Sequence, residues 1–509
     1  MVSILSSLGL NGIDAFLVSV EVDISRAVPS FDIVGLPDAA VKEARDRVRA
    51  VISNCDIKFP EGKIIVNLAP ADMKKNGAIY DLPILLGILR SCGKIKSSLE
   101  KMAFLGELSL AGDVRKINGV LSMVLEAQKQ GIKSIFIPYD NIAEGCVVDG
   151  IDVYGIKKVA EVIDFLNENV MLYPIKGIQF EEISCELIPD FSEVKGQSEV
   201  KRALEIAAAG GHNLIMVGPP GTGKSMLAKR LRSILPEMTF EESIETTKIY
   251  SVAGCMQEQS SLIKTRPFRS PHHTVSPAGL SGGGSVPKPG DISLAHNGVL
   301  FLDELPEFSV QSLEVLRQPL EDNCVTISRV RSRLTYPCSV MLVAAMNPCP
   351  CGYYGHATKK CTCSDSKISK YLSKISGPLL DRIDLHVEVL PVEYEQLASH
   401  EKEESSLDIK ARVVKARNKQ NIRYAGTGIT CNARLTPALL RESCPLEESA
   451  NRILKVAFEK MGLSGRAYDR ILKVARTIAD LEDSDIICSH HIAEAVQYRN
   501  LDRKYWNKA

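Results

Sequence analysis

One tryptophan in 509 residues, an aromatic content of 6% and a formal net charge of +0 are what this chain has least of. The balanced charge excludes a chain that binds nucleic acid through its overall basicity, so any such surface must be a local patch. Long apolar runs are lacking too. The stretch Leu82-Pro-Ile-Leu-Leu-Gly-Ile-Leu89 is far shorter than the roughly 20 residues that span a bilayer. The N-terminus has no basic start of a signal peptide, and Asp14 interrupts its first apolar stretch, so the expected location is the cytoplasm, with no membrane partner. Short-period repeats and low-complexity tracts are absent from the sequence. Cysteine, by contrast, is plentiful. Fourteen thiols without a secretion signal read as reduced side chains and metal ligands rather than a disulfide framework. Hydrophobic and charged contents of 45% and 24% are ordinary for a globular protein, and the length has room for about three domains.

The octapeptide Gly218-Pro219-Pro220-Gly221-Thr222-Gly223-Lys224-Ser225 fits a phosphate-binding loop at every fixed position. An apolar run, Ile215-Met216-Val217, precedes it, and the helix-compatible Met226–Leu231 follows. A buried strand would thus deliver backbone N–H groups to phosphate oxygens, and the next helix would add its positive dipole end. Lys224 would reach the β- and γ-phosphates, and Ser225 would hold Mg²⁺. The expected ligand is ATP or GTP.

Gly298-Val-Leu-Phe-Leu-Asp303-Glu304 reads as a buried strand ending in two acids. Downstream of a phosphate loop, Asp303 is expected in the Mg²⁺ shell and Glu304 as the group polarising the attacking water. A further apolar strand, Val340–Ala345, leads to Asn347, placed to bond the γ-phosphate or the water, or else to cap a turn before Pro348. In Leu379-Leu-Asp-Arg382-Ile-Asp384, Arg382 is either an arginine finger for a neighbour's nucleotide or a salt-bridge partner of Asp381 or Asp384. Arg466 opens a helix against the dipole preference, which suggests a functional reason for a cation there.

Two other clusters stand out. In Ser328-Arg329-Val-Arg331-Ser-Arg333 a strand period of two would put three arginines on one face, with no acid between Cys324 and Val340. Such a row suits phosphate contacts and salt-dependent DNA binding, or an edge strand protected by charge. The Gly-rich stretch around Lys288 is a second candidate DNA-contacting loop. Cys349-Pro-Cys351 and Cys361-Thr-Cys363 could close a tetrahedral Zn²⁺ site, with His356 between them as a substitute ligand, or form a reduced Cys-rich loop.

The ordered series of phosphate loop, acidic strand end, Asn, and two Arg resembles the AAA+ superfamily. Arg266-Pro-Phe-Arg-Ser-Pro-His-His-Thr274, Gly279-Leu-Ser-Gly-Gly-Gly284 and Pro287-Lys-Pro-Gly-Asp-Ile292 narrow it to the magnesium-chelatase-like group, ComM/YifB type, which is associated with competence and DNA recombination. The resemblance implies an α/β fold in three parts. An N-terminal Lon-protease-like, S5-like α+β domain would cover 1–168, and a linker 169–191. An AAA+ core with a parallel sheet would span 192–394, with an insertion at about 264–295 and the Cys loop at 349–363. A helical lid would fill 395–509. Phe104–Gly112 and Gly131–Pro138 resemble the Lon proteolytic domain, yet its nucleophile and Lys positions fall on Ile79 and Leu121, so proteolysis is not expected. Lys74 and Lys75 are candidates for a basic surface or a solvated loop pair.

The resemblance further implies a hexameric, ATP- and Mg²⁺-dependent ring acting on single-stranded or branched DNA, helicase or branch-migration type, with recombination proteins as partners. Arg382 would be given to a neighbouring subunit. The rivals are a chelatase-type ATPase subunit and an AAA+ chaperone or regulator acting on a protein partner.

Overall fold

The computed structural model describes residues 2–506 except 56, 177–187, 257–260, 285–286, 330–331, 357 and 399–401. The chain forms two compact units, Met1–Cys185 with Phe240–Ile263, and Glu186–Thr239 with Lys264–Ala509. The segment 240–263, assigned by sequence to the ATPase core 192–394, therefore packs with the N-terminal unit instead.

The first unit is built on a seven-stranded mixed sheet. Its strands run in the order Ser30–Val34, Lys63–Ala69, Asp14–Ser25, Ser3–Asn11, Met102–Phe104, Ser134–Pro138 and Asp152–Ile156. In Asp14–Ser25 the alternation of side chains puts Val18, Val20 and Val22 on the covered face, each wholly buried. Helix Ala39–Asn54 starts where the Asp38 carboxylate accepts the Val41 N–H at 2.8 Å, and it buries Val41, Ala44, Val48, Val51 and Ile52 at helical spacing. The wholly buried Asp81 is tied to Arg47 at 2.6 Å and accepts the Leu108 N–H. Lys75 is not part of a basic surface. It is buried, and its ammonium donates to the Pro70 and Met73 carbonyls, with burial lowering its pKa. Ile79 and Leu121, the aliphatic residues at the Lon nucleophile and Lys positions, belong to this unit's core.

Helix Phe240–Ala253 joins this unit through polar contacts that no amphipathic stripe announces. Its buried residues are Ser243, Thr246, Thr247, Ile249 and Ser251. The Ser251 carbonyl and hydroxyl both accept the Gly119 N–H, at 3.2 and 2.9 Å, and the hydroxyl donates to Glu144. Glu144 also accepts the Leu121 N–H at 2.7 Å. Burial raises the Glu144 pKa, opposed by these hydrogen bonds.

The second unit holds a five-stranded parallel sheet in the order Phe268–Arg269, Val299–Leu302, Met341–Met346, Leu214–Val217 and Leu385–Glu388. The inner strands read as continuous apolar runs because helices cover both faces. Leu214–Val217 lies between strands that come much later in the chain, so its carboxyl end opens at a switch of strand order, where α/β sheets place ligands. Helices Ser406–Arg423, Glu448–Met461, Gly465–Leu481 and Ser489–Gln497 complete the unit. The lid expected over 395–509 is helical, but Ile409, Val413, Ile471 and Ile478 share one hydrophobic core with Leu214 and Met216 of the sheet.

Candidate nucleotide-binding site

The wholly buried strand Leu214–Val217 delivers the loop, and helix Lys224–Ile234 begins at its end. Glycine is required at 218, where a Cβ would stand 2.2 Å from the Val389 carbonyl oxygen. Gly221 and Gly223 take left-handed φ values of +82° and +85°, which keep the loop tight around its own N–H groups. The Thr222 hydroxyl closes the turn on the Pro219 carbonyl at 3.0 Å.

Lys224 folds back over this loop. Its ammonium donates to the Gly218 and Pro219 carbonyls at 2.8 Å each and to the Asn347 side-chain oxygen at 3.2 Å. Burial lowers its pKa and nearby Asp303 opposes the shift. Among the described residues it makes no ion pair, so a buried cation at a helix N-terminus lacks a contacting anion. A triphosphate fits that deficit. Ser225 donates to Asp303 at 2.5 Å, which brings together the hydroxyl and carboxylate expected to serve Mg²⁺.

The other Asp303 oxygen accepts the Glu304 N–H at 2.9 Å. Glu304 itself has φ +52°, a conformation sparsely used by non-glycine residues, and its carboxylate lies 3.4 Å from His273 Nδ1. His273 is the site residue whose role the sequence left unassigned; only its place in the Pro-His-His-Thr run marked it. The same segment is otherwise a brace. Arg266 donates to the Pro236 and Asn297 carbonyls, and Arg269 pairs with Asp291 at 2.6 Å.

Thus Gly218 to Ser225, Asp303, Glu304 and Asn347 converge. Arg382 is held apart from its expected partners: it pairs with Glu321 and donates to the Pro378 carbonyl at 2.6 Å. Asp384 is committed elsewhere, to His212 at 3.2 Å and Arg470 at 3.3 Å; burial raises its pKa, but the hydrogen bond from His212 and the charge of Arg470 win and lower it strongly. Arg466 is exposed in the first turn of Gly465–Leu481, where Ser464 caps the helix, and has no bonded partner among the described residues.

Cys349, Cys351, Cys361 and Cys363 come together, with all four sulfurs within 4.8 Å of one another. Three separations, 3.3, 3.7 and 3.5 Å, approach the roughly 3.8 Å edge of a tetrahedron with Zn–S bonds of about 2.3 Å. Burial opposes ionisation of Cys351, but N–H groups of Tyr353 and Thr362 and the neighbouring thiols pull its pKa down to about 5. Cys351 is alone in this: burial and its bonds to the neighbouring thiols raise the Cys349 pKa, and the Cys361 pKa is raised as well, so the case for a soft divalent cation rests on four sulfurs at tetrahedral separations. His356 is not a substitute ligand, since its Nδ1 accepts the Thr358 and Lys359 N–H groups at 3.1 Å.

The arginine row is corrected by the structure. Cys324–Arg329 and Ser332–Pro337 are the two arms of an antiparallel hairpin, not one strand. Arg329 pairs with Ser332 and Arg333 with Ser328, adjacent rungs that alternate between faces, so no single face carries all three positions. Arg331 lies outside the described residues. Lys288 is exposed in a short Gly-rich hairpin, paired with Gly283. That hairpin adjoins the basic one, where Tyr336 donates to the Pro287 carbonyl at 2.9 Å. No described helix is long and apolar enough to cross a membrane.

Family models for magnesium chelatase subunit ChlI match residues 190–397 and 20–141, and one for its C-terminal part matches 403–499. The chain is 44% identical over 494 residues to YifB of Escherichia coli, covering 97% of this chain and 96% of that protein. It is also 44% identical over 499 residues to competence protein ComM of Haemophilus influenzae, with the same coverage. The chain belongs to the magnesium-chelatase-like AAA+ ATPases of the ComM/YifB type. A distant likeness, 20% identical over 331 residues and covering 36% of the relative, links this AAA+ chain to the zygotic DNA replication licensing factor mcm6-A of Xenopus laevis.

Proposed function

We propose that this AAA+ ATPase is a cytoplasmic DNA motor of helicase or branch-migration type, working as a hexameric ring in recombination during natural transformation. The observation that carries the ATPase half is the convergence of Lys224, Ser225, Asp303 and Asn347 at the switch point of the sheet. The names of two relatives, a competence protein and a DNA replication licensing factor, support the DNA half. So does the cationic hairpin, which bears Arg329 and Arg333 beside the loop of Lys288.

ATP would be held by Gly218, Pro219, Pro220, Gly221, Thr222, Gly223 and Lys224, with Ser225 and Asp303 serving Mg²⁺, which neutralises developing phosphate charge. Glu304 would orient the attacking water once its carboxylate leaves His273, and Asn347 would hold the γ-phosphate side. Arg382 would serve a neighbour after leaving Glu321, and Arg466 would reach the nucleotide from the C-terminal helices. Arg329, Arg331, Arg333 and Lys288 would contact phosphates from a hairpin pair rather than from one strand face. Cys349, Cys351, Cys361 and Cys363 would hold a structural zinc ion, the reading favoured by their spacing.

The test is steady-state ATP hydrolysis with and without single-stranded and branched DNA at two salt concentrations, beside Lys224→Ala. Salt-sensitive stimulation that disappears in the variant is expected. Hydrolysis indifferent to every DNA would reject the DNA motor and favour a protein partner.

A further inference from the structure

The four-cysteine loop is the strongest feature outside the phosphate loop, and its first limb, Cys349 to Gly352, is built onto the nucleotide site. Its first ligand, Cys349, follows Asn347 by two residues, and Asn347 accepts from Lys224 at 3.2 Å. Its turn then brings Gly352, with φ +84°, against the phosphate loop itself. A Cβ at 352 would lie 2.5 Å from Cδ and 3.1 Å from Cγ of Pro220. That approach is closed from the cysteine side, because the Gly352 N–H bonds the Cys349 carbonyl at 2.9 Å. A third contact comes from buried Tyr371, which is hydrogen-bonded to the backbone of Asn347 and close enough to Cys349 to feel its charge.

Beyond Cys363 the chain enters helix Asp365–Leu372, capped by Ser364. A metal bound by all four thiolates would join the cysteines as one rigid clip, and the clip's inner edge would be the surface on which Pro220 rests. The Glu482, His490 and His491 group offers a contrasting case. There His491 Nδ1 accepts the Cys488 N–H at 2.9 Å, which places its proton on Nε2, the atom that would have to bind a metal. That cluster is a helix cap with two hydrogen bonds to Glu482, not a second metal site.

We propose that the cysteine-bound metal is an allosteric element of the nucleotide site: metal in the clip sets the shape of the phosphate loop, and nucleotide in the loop tightens the metal. The inference rests on the zinc reading above. Coupling between two ligands is reciprocal, so it can be read from the metal side without any measurement of hydrolysis. A coupling of ordinary size changes either affinity by about 5- to 150-fold.

The experiment uses the full chain purified without chelators. Metal is counted by atomic emission, and zinc release to a chromogenic chelator is followed with and without saturating MgADP. The expected result is one zinc per chain and release at least about fivefold slower with MgADP. Gly352→Ala should keep one zinc per chain yet bind a fluorescent ADP analogue several-fold more weakly, because its methyl group meets Pro220. Cys351→Ser with Cys361→Ser should lose both zinc and nucleotide affinity. Stoichiometric zinc, with release indifferent to MgADP and Gly352→Ala binding ADP like the parent, would overturn the coupling while leaving the zinc site standing. A chain that holds no zinc would overturn both.

Discussion

Single side chains carry the chemistry, and their surroundings set the predictions. Lys224 is a buried cation held by two carbonyls and Asn347, so Lys224→Ala should abolish measurable nucleotide binding in an equilibrium titration. Asn347→Ala should spare binding but lower kcat by about 10²-fold, the usual loss on removing one positioned donor to a developing charge. Asp384 makes a different forecast. Its pKa is lowered in the folded chain by His212 and Arg470, so the stability it contributes is present above its unfolded pKa of about 4. That stability is lost as pH falls through that value toward the lower folded one. Thermal melts from pH 7 down to pH 3 should show it, and Asp384→Asn should flatten the decline. Removing the carboxylate by Asp384→Ala should cost about 3–5 kcal/mol at pH 7, since it leaves the partly buried Arg470 unpaired and the buried His212 ring without its acceptor.

At the scale of elements, motif and period made much of the architecture legible. The strands at Asp14–Ser25 and Lys63–Ala69 and the helices at Ala39–Asn54, Glu448–Met461 and Gly465–Leu481 follow their apolar periods closely. The phosphate loop announced itself because its glycines answer a backbone requirement that local sequence encodes. Three features did not show. Helix Phe240–Ala253 buries threonine and serine rather than an apolar stripe, so its packing with the N-terminal unit depends on Glu144 and Gly119, distant in sequence. The arginine run reads as one strand because only the cross-strand pairing, Arg329 with Ser332 and Arg333 with Ser328, reveals two arms on which the two arginines fall on opposite faces. His273 is named by neither period nor charge, only by where the chain folds back to Glu304.

Two element-scale predictions follow from those surprises. Ser251→Ala removes a donor to buried Glu144 and one acceptor of the Gly119 N–H, and should lower unfolding stability by about 1–3 kcal/mol in a denaturant titration. In the basic hairpin, Arg333→Ala should leave hydrolysis without DNA unchanged. It should weaken DNA binding and reduce the slope of log affinity against log salt by about one, as loss of one phosphate contact does. A slope equal to the parent's would remove Arg333 from the interface.

At the scale of the whole molecule, family membership and the converged nucleotide site establish an AAA+ ATPase, while the motor on DNA is the claim that most needs a direct result. A net charge of +0 means that the chain as a whole does not draw DNA in, so the proposed grip is a local one, placed on the two adjoining hairpins. The decisive measurement is displacement of a labelled strand from a branched DNA, with ATP, by the full chain and by Glu304→Gln. The account predicts ATP-dependent displacement by the parent and none by the variant, although the variant still binds both ATP and DNA. Strand displacement that does not need ATP, or none at all from a chain that binds the branch and hydrolyses ATP, would contradict it.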